Sequence, residues 1–103
     1  MSVPQYTTPT FTLTFTEQSL DLTQAQNVYV TFRSGMNVIT KSGGDLTVEQ
    51  KRISVYLSQN ETAKFHVGDL EIQANWTTGN GGRVASEKVH YEITDQLLKR
   101  VVE

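Results

Sequence analysis

Cysteine is absent from the 103-residue chain, which excludes disulfide frameworks, thiolate metal sites and a cysteine nucleophile. Long apolar runs are absent too: nothing approaches the roughly 18 consecutive apolar residues of a membrane-spanning helix. Histidine occurs only twice, at His66 and His90, leaving little for imidazole catalysis or metal ligation. Charge is sparse and slightly acidic, with 19% charged residues, a formal net charge of −2 and a pI near 5.6. A nucleic-acid binder normally shows a basic patch or stripe. Here Lys51-Arg52 and Lys99-Arg100 are isolated basic pairs on a solvated surface. The opening "MSVPQYTTPTF" has neither a basic start nor an apolar run of about seven residues, so no secretory signal is expected. Neither a membrane nor a nucleic acid is expected as a partner.

What remains fits a single globular domain, with 37% hydrophobic residues. Threonine is the most distinctive residue, with 14 copies, and β-branching favours strands. Period-2 alternation locates them. Residues 10–16, "TFTLTFT", set Phe11, Leu13 and Phe15 on one face and threonines on the other. Residues 27–33 follow, with Val28, Val30 and Phe32 opposite Tyr29, Thr31 and Arg33. "SGMN" (34–37) reads as a hairpin turn into 38–41, and "SGGD" (42–45) as a second turn into a short strand over 46–48. Ile53, Val55 and Leu57 share a face of the next strand. Leu70, Ile72, Ala74 and Trp76 alternate over 69–77, and Val89, Tyr91 and Ile93 point inward from a last strand over 83–94.

Between these strands, Ser58-Gln59-Asn60-Glu61 matches a capping box, in which serine and a glutamate three residues on satisfy each other's backbone N–H groups. One helical turn, anchored by Phe65 and stopped by Gly68, is expected to cross the sandwich edge there. About seven short strands with turns every 8–12 residues are the pattern of a β-sandwich. The expected fold is an all-β, Ig-like Greek-key β-sandwich over residues 10–94. Residues 1–9 are read as an extended tail, and residues 95–103, "DQLLKRVVE", as a tail with a short helix.

Two Asn-x-Thr triplets, Asn60-Glu61-Thr62 and Asn75-Trp76-Thr77, match the N-glycosylation acceptor pattern. With five asparagines and 21 serines or threonines, about one such triplet arises by chance, so two carry little information and sugar attachment is not expected.

No catalytic constellation emerges. A metal site needs ligands that converge, and nothing in the spacing of His66 and His90 demands it. A nucleophile needs a base and an orienting acid, and no Gly-x-Ser-x-Gly turn frames one. Glu61, Asp69, Glu71, Glu87 and Glu92 alternate with outward positions and describe a solvated face. "TTGNGGR" joins two strands, whereas a phosphate cradle precedes a helix. No enzyme activity, metal or cofactor is therefore expected. Tyr29 and Tyr56 fall on the outward phase. They are the binding candidates, either as sugar-stacking aromatics beside the glycine loop at 79–82 or as part of a protein interface.

The order of parts resembles small Ig-like proteins of prophage tail regions in Gram-positive gut bacteria, which are similar to the N-terminal domain of phage baseplate upper proteins. The resemblance runs through "TFTL" (10–13), "VYVTFRSGMNVITKSGGDLTV" (28–48), "ISVYLSQNETAKFHVGDLEIQANW" (53–76) and "ASEKVHYEIT" (85–94). It implies a non-enzymatic structural or accessory protein, made in the bacterial cytoplasm and incorporated into a virion. Tail or baseplate proteins, or further copies of itself, are the partners it implies. The alternative from the residues is a carbohydrate- or cell-surface-binding module.

Overall fold

The computed structural model describes residues 2–16, 21–78, 81–86 and 88–95. The short helix expected over 95–103 thus lies, beyond Asp95, outside the described residues. In chain order the elements are β1 (Ser2–Pro4), β2 (Thr10–Thr14), β3 (Gln26–Ser34), β4 (Asn37–Ser42), β5 (Leu46–Val48) and β6 (Arg52–Tyr56). A single helical turn, α1 (Gln59–Thr62), follows, and then β7 (Gly68–Thr77), β8 (Arg83–Ala85) and β9 (Val89–Thr94).

Two sheets pack face to face. One has the order β1-β9-β7-β3-β4, with β8 also on β7, and the other is β2-β6-β5. Alternate residues of each strand point between them, and Phe11, Leu13, Val30, Phe32, Ile53, Val55, Leu70, Ile72 and Trp76 form the buried centre. The chain changes sheet between β1 and β2, between β2 and β3, between β4 and β5, and between β6 and β7. A three-strand sheet β2-β6-β5 facing a sheet built on β3, β7 and β9 is the Ig-like arrangement. The protein is an Ig-like Greek-key β-sandwich.

Local chemistry explains most joints. Gly35 takes a φ of 59° in the two-residue β3–β4 turn, and a Cβ there would sit 3.0 Å from the His66 ring. The expected capping box forms at α1: Ser58 Oγ accepts from Glu61 N at 3.3 Å, and Glu61 Oε1 accepts from Ser58 N at 2.9 Å. Phe65 is buried just beyond it and anchors the crossover.

Two features depart from the sequence reading. The first three described residues are no loose tail: β1 pairs in parallel with β9, Val3 is buried, and Gln5 Nε2 donates to Phe65 O at 2.6 Å. A single inward side chain in a three-residue strand offers no period to read. The second is the last strand, which is split. β8 pairs Asn75 with Ala85, whereas β9 pairs Ile72 with Val89, a one-residue change of register. Ser86 absorbs it, its Oγ accepting from Ala74 N at 2.9 Å while its own N–H donates to Ala74 O at 2.8 Å.

Candidate functional site

The sheets are unequal in width, and this opens one side of the sandwich. β2 is the outer strand of the narrower sheet, and among the described residues only β6 pairs with it. Opposite, β8 and β9 extend past it. Their inward residues Val84 and Val89, paired with buried Trp76 and Ile72, are 37% and 38% exposed. The result is a groove of about 550 Å³ between β2 and β7–β9, walled by Leu13, Phe15, Trp76, Val84, Val89 and Tyr91. Phe15 meets Trp76 edge-on at 5.5 Å between ring centroids, and Phe11 meets Tyr91 likewise at 5.1 Å. Apolar walls topped by threonine hydroxyls suit a polypeptide or another apolar surface. Among the described residues they carry no Asp, Glu, His, Lys or Arg side chain.

The edge of β2 has its own polarity. Phe15 N donates to Lys51 O at 2.8 Å, and Leu57 N donates to Pro9 O at 3.1 Å. In the antiparallel register Phe11–Val55 and Leu13–Ile53, Phe11 and Leu13 therefore turn their backbone groups toward β6. Thr10, Thr12 and Thr14 turn theirs away, presenting donors and acceptors along the open side.

The sequence-based candidates do not meet. Tyr29 lies on the outer face of the wider sheet and is 42% exposed; Tyr56 lies on the outer face of the narrower sheet and is 54% exposed. They belong to opposite faces of the sandwich, so they form no common stacking platform. Of the glycine loop, Gly79 and Asn80 lie outside the described residues. His66 is held at the crossover, its N–H donating to Ser34 Oγ at 2.8 Å and its Nε2 3.1 Å from Asn37 Nδ2. His90 stands on the outer face, with Nδ1 3.0 Å from Asp69 Oδ1. Among the described residues no group of three or more His, Asp or Glu side chains is placed to hold a metal.

The carboxylates serve structure. On the outer face, Glu71 joins Arg33 and, at 3.6 Å, Lys88. The hydrogen bond from Arg33 holds its pKa below the ordinary value, against a smaller opposing cost of desolvation. Glu61 Oε2 lies 2.6 Å from Lys41 Nζ. Partial burial is the largest single influence on Glu61 and disfavours its charge. Lys41 and the Ser58 cap together outweigh it and lower the pKa below 4.5.

The acceptor triplets are likewise absorbed into the fold. Asn60 is exposed on α1, but Thr62 is buried and its hydroxyl donates to Thr7 O at 2.8 Å. Asn75 sits mid-strand on β7, opposite Tyr29 and Ala85. Sequence reading missed the open groove. Its only signal was inward phase at Val89 and Tyr91, which does not say what lies opposite.

No family model matches the chain, and no curated protein matches it. Among solved structures, it is similar to murine CRIg, with 11% identity over 93% of this chain and 91% of that one, at a TM-score of 0.45. It is also similar to a tandem pair of titin Ig domains, with 14% identity over 93% of this chain and 44% of that one, at a TM-score of 0.44.

Proposed function

We propose that this protein is a non-enzymatic structural or accessory component of a phage or prophage particle, associated with the tail or baseplate, that acts by protein–protein assembly. The observation that carries the assembly part is the open side. An apolar groove lies beside a strand edge whose backbone groups face outward. Such an edge is suited to bind an extended segment or a sheet, because backbone hydrogen bonds supply affinity and side-chain pockets supply register. The phage part is supported by the resemblance through residues 28–48 and 53–76.

Particles purified after prophage induction provide the test. Mass spectrometry of washed particles is expected to find this chain in constant ratio to tail proteins, with tail, tape-measure or lysis genes flanking its own. Recovery only from the soluble lysate, with no such neighbours, would remove the phage reading. The carbohydrate-binding alternative loses its main support, since Tyr29 and Tyr56 occupy opposite faces.

A further inference from the structure

We infer that the open edge of β2 pairs with the same edge of a second copy, giving a two-fold dimer with one continuous sheet. This names a partner for the assembly reading above and rests on it, although its own support is the strand.

Residues 10–16 read Thr-Phe-Thr-Leu-Thr-Phe-Thr, identical in both directions about Leu13. An isologous contact must bring each residue against its two-fold mate. Antiparallel pairing centred on Leu13 sets Thr12 against Thr14 of the second copy, Thr10 against its Thr16, Phe11 against its Phe15, and Leu13 against its Leu13. Like therefore meets like at every position. The hydrogen-bonded pairs in this register are the threonine pairs, the residues whose backbone groups β6 does not use. The side-chain face pairs aromatic with aromatic and leucine with leucine, which favours cross-strand contact.

Charge permits this contact at β2 and opposes it at the other long edge. None of the seven residues ionises, so self-pairing sets no like charges opposite one another. The free edge of β4 instead carries Lys41, paired to buried Val30 and hence pointing inward, where it bonds Glu61. An inward charge is a common guard against edge pairing. The edges of β1, β5 and β8 are three residues each, and β1 contains Pro4. Among the described residues only β2 is a long edge without a guard.

Sedimentation across a concentration series, with the full chain, tests this. The native protein is expected to pass from monomer to dimer. Thr12→Pro removes an N–H that only the second copy would use, and it should weaken the dimer by at least about tenfold. Because proline could also disturb the strand, a charge pair gives an independent arm. Variants T12K/T14K and T12E/T14E should each remain monomeric, and mixing them should restore a dimer, since position 12 faces position 14 in this register. A native chain monomeric at every concentration overturns the inference, and so does a dimer indifferent to all these changes. Protection of the Thr10, Thr12 and Thr14 amides in a monomer would also overturn it, by placing another segment of this chain on the edge. Failure here leaves the particle-composition result untouched, so the two readings fail separately.

Discussion

At the residue scale, a few buried polar groups hold the crossover that sequence located at residues 58–68. Ser34 is fully buried on β3, yet its hydroxyl accepts from the His66 N–H at 2.8 Å and so ties the crossover to the β3–β4 hairpin. Ser34→Ala orphans that donor and is expected to cost about 1–2 kcal/mol in chemical denaturation, with the fold retained. Glu61 has two roles, as half of the capping box and as the mate of Lys41. Glu61→Gln should cost about 1 kcal/mol at neutral pH, measured by thermal unfolding. Its pH dependence has a definite sign. The folded pKa lies below 4.5, so ionised Glu61 favours the folded state above 4.5, and this contribution is lost as pH falls through the lowered folded value. The variant should therefore lose less stability on acidification than the native chain. The capping box was legible as a four-residue motif. Lys41 as its neighbour was not, because that pairing joins β4 to the crossover turn, far along the chain.

At the element scale, alternation located the strands where several side chains repeat the period. It failed at β1 for want of length and at Ser86 for want of continuity. Burial of Val3 against β9 makes β1 part of the core rather than an appendage. Val3→Asp is expected to cost about 2–3 kcal/mol in equilibrium unfolding. A truly detached tail would leave the midpoint unmoved. The split between β8 and β9 has a similar lesson. A register change of one residue would reverse the faces of an unbroken strand, and the extra residue near Ser86 restores the inward phase at Val89, Tyr91 and Ile93. Period-2 reading ran one strand over 83–94 and found the inward side chains of β9, not the separate β8 or inward Val84. The bulge between the two strands depends on how Ser86 meets Ala74, which is a contact and not a pattern.

At the scale of the whole molecule, composition and turn spacing were enough for the sandwich, whereas the site depended on which strands end each sheet. "TFTLTFT" is conspicuous in the sequence as a strand, but only its place at the margin of the narrower sheet makes it an open edge. The tyrosines show the converse. Their outward phase was read correctly, and the layering of the sheets then sent them to opposite faces. Tyr29→Ala and Tyr56→Ala, singly or together, should leave stability within about 0.5 kcal/mol, as for surface positions away from caps and cores. A glycan array should show no signal that depends on both.

The parallel pairing of β1 with β9 has a mechanical consequence. Ser2, Val3 and Pro4 lie beside Glu92, Ile93 and Thr94, with Gln5 N donating to Thr94 O at 3.0 Å. Because the two strands run the same way, tension between the chain entering β1 and the chain leaving β9 acts along their common axis. The bonds between them are then stretched sideways and together, rather than opened one after another like a zipper. The domain is thereby built to resist being pulled out by its two ends, a useful property in any assembly that transmits force.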